Sequence, residues 1–216
     1  MAKASDQAGG IISIPAIGSA FIDGGPALGG KPSSRDTNFS ATESLLIKST
    51  NIAGTSLARR VYLLFDLTGV DLAHAKDATL SCFVNQNYGP TKAGVAFGIQ
   101  VFGLRKAFVG DGFDESKITW NNAPANALED GGLLAGGVQA DQTVPLGTIQ
   151  VTPTGGAVAL ESPSFLDFLK ETSDNPKHLI VLILVRDSGQ RDLNTSIYSR
   201  RARQEYVPTI MLHNAP

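Results

Sequence analysis

Arg59-Arg60-Val61-Tyr62-Leu63-Leu64-Phe65-Asp66-Leu67 alternates strictly. Val61, Leu63, Phe65 and Leu67 form one row, and Arg60, Tyr62, Leu64 and Asp66 form the other. A period of two places successive side chains on opposite faces of a strand. The first row is wholly apolar and must face a core, so Arg60 and Tyr62 are expected to point outward. Near the C-terminus, Ser196-Ile197-Tyr198-Ser199-Arg200-Arg201-Ala202-Arg203 repeats the theme. With Ile197 inward, Tyr198 and Arg200 project outward together. Five of the nine arginines lie in these two segments, in a chain of formal net charge −2. A cationic, tyrosine-lined patch on a slightly acidic protein is the main functional signal.

A chain of 216 residues suffices for one full core. Its 23 glycines and 11 prolines are spread along the length, as many short strands and turns require. Residues 1–10 read as a disordered tail and 11–216 as a single domain. No apolar run reaches the length of a membrane span. Met1-Ala2-Lys3-Ala4-Ser5-Asp6 lacks the charged and apolar regions of a signal peptide. It reads either as a cytoplasmic start or as one that replaced a removed signal. The lone Cys82, between Leu80 and Val84, allows no internal disulfide and reads as a buried thiol.

Strands are expected at Ile11–Ile17, Glu43–Thr50, Ala78–Asn85, Gly94–Leu104, within Gln142–Val151, and at Val158–Leu160 and Thr209–His213. Gly18–Ser40 reads as a loop anchored by Phe21 and Ile22 and carrying Lys31 and Arg35. Gly54–Ser56 reads as a turn and Gly131–Ala140 as a glycine-rich loop. Pro124 biases Ala123 away from helix, so Ile118–Pro124 is expected to be an extended corner with Trp120 as its buried anchor. Leu179–Val185 is an unbroken apolar run, the mark of a strand covered on both sides. One helix stands out: Ser162-Pro163-Ser164 opens it, Ser164 is a candidate N-cap, and Phe165, Phe168 and Leu169 make an apolar stripe. About ten strands and one short helix define an all-β chain, a two-sheet β-sandwich of jelly-roll type.

Catalytic signatures are scarce. There is no nucleophile elbow, P-loop, dinucleotide fingerprint or zinc-protease motif. His74, His178 and His213 are scattered, and no carboxylate pair recommends itself for glycoside hydrolysis. Asp111, Asp114 and Glu115 offer oxygens to a hard cation, a candidate structural Ca2+ site, but lack a calcium-loop signature and read first as an acidic turn. No cofactor is expected. A pI near 5.9 argues against a nucleic acid partner, which demands a strongly basic face. A small cationic groove suits carboxylates, because the guanidinium fork meets them bidentately.

Parity carries the site further. Leu45 and Ile47 inward turn Lys48 outward, beside Arg60, Tyr62, Tyr198 and Arg200. If their three strands are neighbours, these five side chains converge on one groove, with Lys31 and Arg35 at its rim. Replacement of Arg60 or Arg200 by alanine is expected to weaken binding and to leave the fold intact.

In order, Glu43-Ser44-Leu45-Leu46-Ile47-Lys48, Arg60-Val61-Tyr62-Leu63-Leu64-Phe65-Asp66-Leu67, Ile118-Thr119-Trp120-Asn121-Asn122-Ala123-Pro124 and Ile197-Tyr198-Ser199-Arg200 resemble the DNRLRE domain family, which overlaps carbohydrate-binding module family 96. The resemblance spans roughly Ile17 to His213. It implies a β-jelly roll that binds acidic, uronate-containing polysaccharide without catalysis, alginate being the characterised type. It further implies a secreted bacterial setting, attached to a larger polysaccharide-degrading or cell-surface protein. The family carries an acidic residue after Tyr-Ser-Arg; this chain has Arg201, which adds positive charge to the site. A small polysaccharide lyase and a structural or adhesive surface domain are the other two readings. All three histidines lie outside the patch, which favours binding over lyase chemistry.

Overall fold

The computed structural model describes residues 10–25, 31–48, 58–88, 97–128, 137–152, 154–186 and 194–214. Eleven strands form among them: β1 Ile11–Pro15, β2 Gly18–Asp23, β3 Ser44–Lys48, β4 Arg59–Asp66, β5 Ala75–Tyr88, β6 Phe97–Leu104, β7 Thr143–Val151, β8 Gly156–Glu161, β9 Leu179–Arg186, β10 Asn194–Tyr198 and β11 Thr209–Asn214. Every pairing is antiparallel. The path runs β1-β11-β5-β10-β3-β4-β9-β6-β7, with β2 on β4 and β8 on β5. Among the described residues its middle link, β3 to β4, is one residue pair, Lys48 opposite Arg59. The path folds there into two sheets.

Both sheets contribute to one core. Leu45, Ile47, Leu80, Cys82, Val84, Ile197, Ile210 and Leu212 come from the first sheet, and Val61, Leu63, Phe65, Ile99, Val101, Ile149, Ile180, Leu182 and Leu184 from the second. The result is the expected all-β sandwich. The helix α2, Pro163–Thr172, closes it with Phe165, Leu166, Phe168 and Leu169. Pro163 stands at the first helical position and Ser162, not Ser164, is the N-cap residue. The other helix among the described residues, α1 Lys106–Val109, is a single turn.

Two expectations change. Gly18–Asp23 is a strand rather than loop, because its backbone pairs along β4 from Leu64 to Arg59. Ile118–Pro124 is a series of tight turns rather than an extended corner; the Ala123 amide donates to the Thr119 carbonyl at 3.0 Å. Those turns matter, because the outer face of the second sheet is not solvated. Ala20, Ile22, Tyr62, Leu64, Phe102, Leu104, Val181, Ile183 and Val185 form a second apolar cluster beneath Val109, Ile118, Trp120, Ala125 and Val138. The apolar run of β9 is covered on both faces, as its composition predicted. The tail, the turn at 54–56 and most of the loop at 131–140 lie outside the described residues.

Trp120 is fully buried. Its fluorescence should resist iodide in the native protein and become quenchable only on unfolding. Burial also pushes the Cys82 thiol up to about 12. That side chain should therefore react with a thiol reagent only under denaturing conditions; fast native-state reaction would contradict this packing.

Candidate functional site

The expected groove does not form around Arg60 and Tyr62. Arg60 is 1 % exposed and Tyr62 fully buried. Strand parity does turn them away from the main core, but a layer of turns covers the face they reach. The Arg60 guanidinium lies 4.4 Å from the Trp120 ring centroid. Its Nη1 donates to Asn126 Oδ1 and, at 3.3 Å, to the Ala127 carbonyl. Gly137, at φ +82°, brings its backbone so close that a Cβ there would sit 2.7 Å from Arg60 Nη2. Tyr62 donates to the Pro124 carbonyl at 3.0 Å, and burial pushes its phenol up despite the neighbouring Arg60 charge. Both residues hold the covering layer in place; neither presents a surface to a ligand.

The remaining predicted residues part company. β3 does lie between β10 and β4, the neighbourhood parity required. Yet Tyr198 pairs with Ser44 at one end of β3, and Lys48 with Asn194 at the other. Arg200 lies past the end of β10. Its Nε donates to Glu115 Oε2 at 2.7 Å and its Nη2 to Oε1. Arg201 Nη2 donates to the same Oε1 at 2.8 Å, while its Nε takes the Ser40 carbonyl at 2.7 Å. The Ser19 amide of β2 donates to Glu115 Oε2 at 3.0 Å, and the Arg200 amide to Ser19 Oγ at 3.1 Å. One carboxylate thus ties β2, the covering layer and the C-terminal end of β10 together.

The acidic turn does not gather as a cation site. Asp111 pairs with Lys177 at 2.6 Å and Asp114 with Lys117 at 2.9 Å, while Glu115 is held by the two arginines. Among the described residues no three His, Cys, Asp or Glu side chains are grouped to hold a metal.

A different set of cations does come together, at the end of the sandwich where β3 meets β4. The core-facing row of β4 runs Phe65, Leu63, Val61 and ends on Arg59. The row of β9 runs Ile180, Leu182, Leu184 and ends on Arg186, and that of β2 ends with Phe21 and Asp23. Three polar residues therefore finish three apolar rows at the mouth of the core. Arg59 Nε donates to Asp23 Oδ2 at 2.8 Å, and Asp23 Oδ1 accepts from the Gly25 amide at 2.9 Å. Arg35, from the segment after β2, donates through Nε to the Gly24 carbonyl at 3.1 Å. Lys48 is the ladder partner of Arg59. Arg186 is buried and donates from Nη1 to the Gly98 carbonyl at 2.8 Å. Arg35, Arg59 and Lys48 are half-buried, and Lys31 is exposed. Among the described residues, the Asp23 carboxylate is in direct contact with Arg59.

Of the predicted residues, Arg35 reaches the mouth, and Lys48 stands beside it only as the ladder partner of Arg59. Arg59, Arg186 and Asp23 escape a reading that searches the outward rows. The available signal was the position of a charge at the terminus of an apolar row, since a charged side chain that shares parity with a core must sit where the core opens to water.

The fold is thus an all-β sandwich whose apolar rows on β4 and β9 end in Arg59 and Arg186 at one edge. The sequence profile of carbohydrate-binding module family 96 matches residues 31–139, and the chain belongs to that family. The match takes in β3 to β6 and the turns that cover Arg60, and it ends before Arg186, Tyr198 and Arg200. No curated protein matches the chain.

Proposed function

We propose that this carbohydrate-binding module recognises an acidic, uronate-containing polysaccharide, such as alginate, at the cationic mouth and without catalysis. The observation that carries the proposal is the grouping of Arg59, held on Asp23, with Arg35 on the adjoining Gly24 carbonyl and Lys48 opposite Arg59 in the ladder. Among the described residues the side-chain hydrogen bonds of Arg35 and Arg59 use Nε. Their Nη donors make no hydrogen bond among the described residues and suit the bidentate geometry of a carboxylate. Buried Arg186 adds positive potential from behind. In this reading the protein works outside the cell, attached to a larger polysaccharide-degrading or cell-surface protein.

Affinity electrophoresis in gels of alginate, polygalacturonate, cellulose and xylan tests the proposal. Retardation by the two acidic polymers should fall sharply between low salt and about 0.5 M, where the screening length is only a few ångströms. Arg35→Ala and Lys48→Ala should each weaken alginate binding about tenfold, ~1.4 kcal/mol, with unchanged melting temperature. Arg35→Lys should not restore it, since the planar fork is lost. Acidic and neutral polymers bound equally at all salt concentrations would reject the mouth as the site. A rise in ultraviolet absorbance from unsaturated product on incubation with uronate polymers would reject the non-catalytic reading.

A further inference from the structure

The geometry points to a second carbohydrate-contact surface, on the outer face of the first sheet, that receives the uncharged face of a pyranose ring. Leu80, Cys82 and Val84 of β5 face the core, so Phe83 between them faces outward; Ile197 of β10 faces the core, so Tyr198 faces outward. Tyr206, on the 3-10 turn Gln204–Tyr206, joins them. Tyr198 and Tyr206 stack with centroids 4.7 Å apart at 18°. Phe83 lies 4.6 Å from Tyr206 and 6.0 Å from Tyr198. All three rings are half-buried.

Hydrogen-bonding groups flank them on the same face. Ser44, the ladder partner of Tyr198, accepts from Asn85 Nδ2 at 2.5 Å. Ring faces beside an amide and hydroxyls match the two characters of a sugar. Electron-rich ring faces attract the C–H edge of a pyranose, and the amide and hydroxyls meet its O–H groups. A carboxylate or phosphate is repelled by the same ring faces. Arg203 and Glu205, the charges on the adjoining turn, oppose each other in sign. Three rings are too small a patch for a stable protein partner.

This platform rests on the family's carbohydrate binding and not on the choice of an acidic ligand. It stands apart from the mouth: the Tyr198–Ser44 rung and the Asn194–Lys48 rung are four residues apart, about 13 Å at the rise of a strand. One polysaccharide chain touching both would gain avidity.

The test titrates the full chain with neutral oligomers of glucose, mannose and xylose in about 0.5 M salt, where the mouth is screened. Chemical shifts of the tyrosine rings are the readout. At least one oligomer should bind and perturb those rings. Tyr206→Leu, which keeps apolar bulk, should weaken that binding roughly fivefold to tenfold, the range of one ring interaction. Tyr206→Phe should retain it, and so should Arg35→Ala. No perturbation by any neutral oligomer, or parental affinity in the folded Tyr206→Leu protein, overturns the platform. Failure of the acidic-ligand reading is a separate outcome, seen as no alginate binding at low salt.

Discussion

Arg60→Ala is expected to destabilise the protein by about 3–5 kcal/mol, combining an orphaned buried acceptor, about 1–3 kcal/mol, with the cavity left by a large buried side chain. Most of the effect comes from what is left behind. Asn126, itself buried, loses its donor at Oδ1, while its Nδ2 still holds the Trp120 carbonyl at 2.6 Å. The Trp120 ring loses the cation over its face, and a void opens between Trp120 and Gly137. The melting temperature of a domain this size should fall by roughly 6–20 °C. Arg60→Met should cost less, because an apolar side chain of similar length fills the space, and the part that remains is the lost donor to Asn126 Oδ1. Denaturant unfolding of both variants measures this. Arg60→Ala within 1 kcal/mol of the parent, on a scale where surface changes stay near 0.5 kcal/mol, would show that the guanidinium does not hold the layer. Binding at the mouth should survive in whatever fraction stays folded, since Arg60 does not reach it.

Glu115→Gln is expected to cost about 1.5–3 kcal/mol at neutral pH, the range for hydrogen bonds to charged groups. The side chain is 15 % exposed, against 33 % for Arg200 and 41 % for Arg201, so solvent screens the cations more than the carboxylate. Burial pushes the Glu115 carboxyl up. The Arg200 hydrogen bonds, the Ser19 amide and the charges of Arg200 and Arg201 outweigh it and hold the carboxyl below its ordinary value of 4.5. A depressed folded value means the contribution is whole above the ordinary glutamate range and disappears as pH falls through the folded value. The gap between parent and Glu115→Gln should therefore be widest near pH 7, narrow below about pH 4.5 and close at lower pH. Unfolding free energies at pH 7, 4 and 3 give the comparison. An equal gap at all three would mean that the amide fails through shape rather than charge.

Local periodicity accounts for much of what was legible. The rows Val61-Leu63-Phe65 and Leu45-Ile47 each face the core because a strand has period two, whatever its neighbours. The unbroken run of β9 announced its two covered faces, and Pro163 with Phe165, Phe168 and Leu169 marked the helix. Burial of Cys82 followed from its apolar neighbours, and Trp120, expected as a corner anchor, is buried although the corner is built of tight turns. The family resemblance rested on segments in a fixed order, and order along the chain is a sequence property.

Parity, however, says which face a side chain takes and nothing about what covers that face. Arg60 and Tyr62 turn away from the core as alternation requires, and then meet residues drawn from 109–128 and 137–138, up to 78 positions further along the chain. Arg200 meets Glu115, 85 positions away. Such contacts arise from how the sheets stack, and no window of sequence contains both partners. The mouth is the same case from the other side: Arg59, Asp23 and Arg186 look like three unrelated charges at strand ends. Only the folding of the path at the Lys48–Arg59 pair brings those ends to one opening, where water and a ligand can reach charges that the core itself could not hold.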